Sequence, residues 1–141
     1  MSLTTFSVTV NSTEQQHRYQ ATSGSKFSIT FDAPRAHGGT NTGVTPIEGL
    51  LEALGACESV VAGTFHRAHH FDFSSLYLVI TGTHSDNRPG IDEIHFTTHF
   101  RSPSTKSEIT KFADFMDKTC PVHDNLTNAV PIKTVGIKVI K

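Results

Sequence analysis

The stretch GGTNTGVTPIEGLLEALGAC, residues 38–57, decides how this 141-residue chain is read. Gly38, Gly39 and Gly43 mark a loop, and Thr45 then signals a helix start. A threonine at the cap, Pro46 at the first helical position and Glu48 three residues after the cap form a capping box. Apolar residues recur at Ile47, Leu50, Leu51, Leu54, Cys57, Val61 and Phe65, a helical stripe that predicts a helix running to about His70. Ala53, Gly55, Ala56, Ala62 and Gly63 are small, and each glycine costs a helix about 1 kcal/mol. A close neighbour would justify them. A helix this apolar needs burial on more than one side, which points to packing against a second copy of the chain.

Outward from that helix the pattern changes to strands. Phe6, Val8 and Val10 alternate with Ser7 and Thr9, the period of a half-buried strand. Residues 16–22 and 26–32 read as two more strands, the latter with Phe27, Ile29 and Phe31 on one face, joined by a Ser23-Gly24-Ser25 turn. Residues 33–44 are a loop. Downstream, residues 75–84 and 91–101 form a hairpin about the turn cluster at residues 86–90. Its second strand places Ile94, Phe96, Thr98 and Phe100 on one face and His95, Thr97, His99 and Arg101 on the other. A second capping box, Thr105 with Glu108, opens a helix whose stripe is Ile109, Phe112, Ala113, Met116 and Cys120, and Pro121 ends or breaks it. A short segment at residues 122–130 follows, and Val135, Ile137 and Val139 predict a closing strand. The expected fold is α+β, a single domain over residues 1–141 with antiparallel sheet and two main helices.

Composition excludes several functions. A formal net charge of −1 and scattered arginines give no footprint for nucleic acid. The N-terminal residues MSLTTFSVTV lack a basic region followed by a long apolar run, and no apolar segment approaches the ~18 residues of a membrane span. No membrane contact is expected, and the expected compartment is the cytoplasm, where a cysteine pair is reactive or metal-bound rather than a static staple.

The chain has two cysteines, Cys57 and Cys120, each on a helical stripe. Read from periodicity, each is either a small buried hydrophobe or one half of a redox pair. A nucleophilic Cys57 needs a nearby cation or base. Arg67, ten residues along the same helix, is about 15 Å away, which leaves Arg18 and Arg35. Glu48 is explained by its capping box; its functional reading is a carboxylate orienting an arginine. It lies about 900° of helical turn from Cys57, on the opposite face. His66 and His70 have the i, i+4 spacing that can chelate a metal, although histidines at a helix end also complement its dipole. His95 and His99, about 13 Å apart on one strand face, are too distant to chelate together. His123 follows the second cysteine closely enough to line a pocket beside it.

Phe31-Asp32-Ala33-Pro34, Gly38-Gly39, residues 43–48, Leu54-Gly55-Ala56-Cys57 and Cys120-Pro121-Val122 together resemble the OsmC/Ohr family of osmotically inducible and organic hydroperoxide resistance proteins, over nearly the whole chain. The resemblance implies an intertwined homodimer, with sheets wrapped around two central helices and active sites at the subunit interface. It implies a thiol-dependent peroxidase acting on organic hydroperoxides, with Cys57 peroxidatic, Cys120 resolving, Arg18 activating and Glu48 as its acidic partner. A dithiol, lipoyl-type in one branch, would restore the thiols, with no metal and no organic cofactor. In the organic hydroperoxide branch the residue directly after the loop proline is glutamate; here it is Ile47, and the acid stands one position later. That departure motivates an alternative, a non-catalytic member binding an apolar small molecule in the dimer crevice.

Overall fold

The computed structural model, described for residues 2–24 and 26–140, places the long helix α1 at Pro46–Phe65. Its start is as expected: the Glu48 amide donates to Thr45 Oγ1 (3.3 Å), and the Thr45 amide and hydroxyl donate to Glu48 Oε1 (3.2 and 2.7 Å). These bonds hold the Glu48 carboxyl below its ordinary pKa. The helix ends one turn before the expected His70. His70 adopts a left-handed φ of 53°, and the Phe71 amide turns back to the His66 carbonyl (2.9 Å) while the His70 amide bonds Arg67 (3.1 Å). This closure satisfies the last carbonyls without a glycine.

Two compact units result, residues 1–52 and residues 53–141. The first carries an antiparallel sheet of β1 (Val8–Ser12), β2 (Tyr19–Ser23) and β3 (Phe27–Phe31), in that order. Strand β1 begins two residues later than Phe6 and is exposed along its length, not half-buried. Gly24 has the positive φ (60°) of a tight turn; the expected turn also includes Ser25, which lies outside the described residues. The loop after β3 folds over buried Asp32. Its carboxylate accepts from the Ala33 amide (2.8 Å), from the Thr40 hydroxyl (2.6 Å) and from the amide and hydroxyl of Thr42 (3.2 and 3.0 Å). The Thr40 hydroxyl leads the donors that hold the Asp32 carboxyl far below the usual carboxylate range. Gly39 is required here, since a Cβ would collide with the Ala33 carbonyl.

In the second unit, β4 (Ser75–Thr83) and β5 (Glu93–Arg101) pair antiparallel with the expected alternation; Ile94, Phe96, Thr98 and Phe100 turn inward. Helix α2 (Lys106–Thr119) starts at Thr105, whose hydroxyl oxygen accepts from the Glu108 amide (3.2 Å). Pro121 ends it by opening a third helix, α3 (Pro121–Thr127), with Cys120 as the shared cap. The core joins Leu54, Val61 and Ala62 of α1 to Phe71, Phe112, Met116 and Cys120, with Leu76, Ile80, Ile94 and Phe100 of the sheet packed against it. The small residues of α1 suggested another helix as close neighbour, but Gly55 admits the Ile80 side chain of strand β4, and nothing lies within 4 Å of a Cβ at Gly63.

The closing strand is a correction. Residues 129–140 have no regular secondary structure, and Val135, Ile137 and Val139 are 98%, 88% and 81% exposed. A strand needs a ladder partner, and among the described residues no strand edge supplies one. Among those residues, no helix is long and apolar enough to cross a membrane.

Candidate active site at the cysteine pair

The α1 face that enters the core carries Leu54, Glu58 and Val61, with Cys57 at its margin. Cys120 arrives from the other side at the α2–α3 junction, where its extended backbone (φ −69°, ψ 115°) aims the side chain into the same core. Both thiols are free, Cys57 half-buried and Cys120 fully buried. Cys57 packs against the core cluster that contains Cys120; burial first, and then the neighbouring Cys57 side chain, push the Cys120 thiol up to about 12, against the His123 amide that donates to its sulfur (3.4 Å). Two adjoining thiols, one reachable from outside and one kept protonated in the core, can be oxidised to a disulfide.

The other expected site residues lie in the first unit. Arg18 donates from its terminal nitrogen to Thr40 Oγ1 (2.8 Å), and its Nε stands 3.8 Å from Asp32 without a hydrogen bond. Glu48 is engaged by Thr45, and among the described residues no hydrogen bond or ion pair joins it to Arg18. Arg35 is exposed in a 3-10 turn at Arg35–His37.

His66 and His70 do not form the chelate that their spacing allowed. His66 Nδ1 is 2.9 Å from the Phe71 carbonyl, and the left-handed backbone of His70 takes it off the helical face. His69 packs on Phe115, ring centroids 4.0 Å apart. These histidines close the helix and cover the aromatic core.

Glu58 was missed by the sequence reading. It is 0% exposed, directly after Cys57, and its Oε1 lies 3.0 Å from His123 Nδ1. Asp117 completes a cluster in which one ligand atom from each of the three residues lies within 4.8 Å of the others. Burial raises the pKa of both carboxyls. The available signal was the stripe itself: Glu58 occupies the i+4 position from Leu54 and i−3 from Val61, where a core residue belongs.

Residues 38–135 match the family model described as OsmC-like protein. The hydroperoxide reductase of Mycoplasma pneumoniae is 34% identical over 112 residues, 77% of this chain and 78% of the relative. That of Mycoplasma genitalium is 31% identical over 105 residues, 71% of this chain and 72% of its own. A crystal structure of an OsmC-like protein from Mycoplasma pneumoniae superposes with a TM-score of 0.80 at 32% identity, covering 89% of each chain.

Proposed function

This chain belongs to the OsmC-like protein family, and from that premise we propose that it is a thiol-dependent peroxidase that reduces organic hydroperoxides through Cys57 and Cys120. The observation that carries the reading is that the two free thiols share one core cluster. The relatives named hydroperoxide reductase support it. The Cys57 sulfur attacks the terminal peroxide oxygen, the O–O bond breaks, an alcohol leaves and Cys57 becomes a sulfenic acid. Cys120 then displaces hydroxide from that sulfur, which leaves as water, and the two cysteines form a disulfide. A dithiol reductant, lipoyl-type in this reading, exchanges with the disulfide and is itself oxidised. Arg18 serves as the activating cation, supported by an Nε that no hydrogen bond occupies, and Glu48 as the carboxylate of that pair. The mechanism calls on no metal and no organic cofactor.

The test is consumption of an alkyl hydroperoxide by the reduced protein with a lipoyl-type dithiol. One equivalent of peroxide is expected to convert both thiols to an intramolecular disulfide, read by mass spectrometry after alkylation. Protein that consumes no peroxide with any dithiol, and keeps both thiols, overturns the reading. It would favour the alternative, a binder of apolar small molecules, for which an apolar hollow lined by Val10, Tyr19, Phe31 and Pro46 speaks in the first unit.

The working form in this reading is a homodimer of single OsmC-like domains. Its support is the apolar surface that one chain leaves uncovered: Val60 on α1 is 66% exposed, Val8, Val10, Phe27 and Ile29 line an open sheet, and Val135, Ile137 and Val139 of the irregular tail are exposed. An open apolar sheet face of this kind marks an interaction surface. Sedimentation equilibrium at micromolar concentration is expected to give twice the chain mass of 15.4 kDa; a monomer at that concentration removes the dimer.

A further inference from the structure

The cluster beside the thiols has chemistry that the two cysteines alone do not use. Glu58 lies on α1 directly after Cys57, Asp117 on α2 shortly before Cys120, and His123 on α3 three residues after it. Each is within about one helical turn of a reacting sulfur. Glu58 Oε1 is bound by His123 Nδ1 at 3.0 Å, but Glu58 Oε2 is fully buried and no fixed donor reaches it. The Asp117 carboxyl is the nearby acid, with an oxygen within 4.8 Å of a Glu58 oxygen. A fully buried carboxylate beside a half-buried one disfavours ionisation of both; the approach becomes a hydrogen bond when one of them keeps a proton. The site therefore stores a proton between two carboxyl groups, and the imidazole ties it to the outside. The His123 side chain is 30% exposed and lines an open hollow of about 320 Å³ with Arg88, Asp92 and Glu93 at its rim.

We propose that the Glu58–Asp117 pair, held by His123, is the proton relay for disulfide formation by Cys120. The inference rests on the peroxidase reading. In the step, the Cys120 S–H proton passes to the unprotonated carboxylate oxygen of the pair, and the Cys120 sulfur forms the S–S bond to Cys57. The S–O bond of the sulfenic acid breaks, and the departing hydroxide takes the proton stored between the carboxyls and leaves as water. One proton enters the pair and one leaves, so the pair is regenerated.

The need for such a relay follows from the burial of Cys120. With its thiol pushed up to about 12, Cys120 keeps its proton at neutral pH. The groups that act on the pair are Asp114 on α2, Cys120 at the α2–α3 cap and His123 on α3, with the Phe96 ring edge-on to His123 from β5. Burial raises both carboxyls and contact with His123 lowers them, so the shared proton is lost above the ordinary carboxylate range. The disulfide rate is expected to pass through a maximum with pH, limited on the acid side by a protonated acceptor and on the alkaline side by loss of the donor.

The experiment follows both steps in the full-length reduced protein after one equivalent of an alkyl hydroperoxide. Dimedone trapping reads the sulfenic acid, and rapid quench with alkylation reads the disulfide, across pH 5 to 9. In Glu58→Gln, disulfide formation is expected to slow about 100-fold relative to sulfenic acid formation, with the maximum lost. Asp117→Asn is expected to do the same. His123→Asn, at a half-exposed position that leaves the core filled, is expected to slow the step and shift the maximum, and it carries the test if the buried variants fail to fold. Variants that resolve at the wild-type rate with an unchanged pH profile overturn the relay. So does a stoichiometric divalent ion on the three residues in purified protein, since it would displace the proton. Wild-type protein that forms no disulfide, together with Cys120→Ser protein that forms no dimedone adduct on Cys57, instead overturns the peroxidase reading beneath it.

Discussion

Cys57→Ser is expected to abolish dithiol-dependent peroxide consumption, by about a thousandfold or more, while leaving the fold and the thermal midpoint close to wild type. A serine hydroxyl is nearly isosteric with the thiol but does not attack a peroxide oxygen, and no second nucleophile stands ready. Cys120 is fully buried and holds its proton up to about 12, so it is a poor substitute for the lost thiol. Cys120→Ser should behave differently. It should still give one turnover to sulfenic acid, trapped by dimedone on Cys57, and then stall or over-oxidise for want of a partner. The measurement is peroxide consumption with a lipoyl-type dithiol in excess. If Cys57→Ser keeps a tenth of the wild-type rate, Cys57 is not the peroxidatic residue, and the nearness of the thiols is a matter of packing.

The two variants also separate what the sequence could show from what it could not. The helix starts were legible because capping is local: Thr45 with Glu48 and Thr105 with Glu108 each satisfy backbone donors within one turn. The hairpin was legible because a period of two is visible in Ile94, Phe96, Thr98 and Phe100. Pro121 was legible as a break because its ring is incompatible with a continuing helix. The nearness of the thiols was not legible, since it depends on how α1 and the α2–α3 junction pack. Nor was the closing strand, because alternation at Val135, Ile137 and Val139 describes a face but supplies no ladder partner within the chain.

Glu58 shows a different limit. A count of apolar positions passes over an acid in the stripe, and the eye reads Glu58 as a solvated residue beside Cys57. Its burial becomes intelligible only when His123 and Asp117 arrive from α3 and α2 to hold it. The early end of α1 is similar: the spacing of His66 and His70 suggested a metal, whereas the left-handed backbone of His70 spends both residues on closing the helix.

Phe112→Ala is expected to destabilise the protein by about 3–5 kcal/mol, the range for removing a fully buried aromatic ring. Phe112 is 3% exposed and centres an aromatic cluster: it stacks on Phe71 at 4.5 Å, lies 5.8 Å from Phe115, and meets Phe100 and His69 at 6.2 and 5.9 Å. Because the ring joins α2 to the segment after α1 and to β5, no single neighbour can collapse into its space. Urea unfolding at matched protein concentration, monitored by far-ultraviolet circular dichroism, should show a lower midpoint with the slope unchanged. A loss under about 1 kcal/mol would mean that the cluster closes over the cavity and that the core is centred elsewhere. The same substitution bears on the site. Phe112, Met116 and Cys120 follow one another at i+4 on one face of α2 and its cap, so a cavity at the first loosens the seat of the last. Alkylation of Cys120 in the native protein should therefore speed up in Phe112→Ala by more than alkylation of half-exposed Cys57. Equal acceleration at both thiols would trace the effect to global unfolding, and none would show that Cys120 is held by α3 and the carboxyl cluster alone.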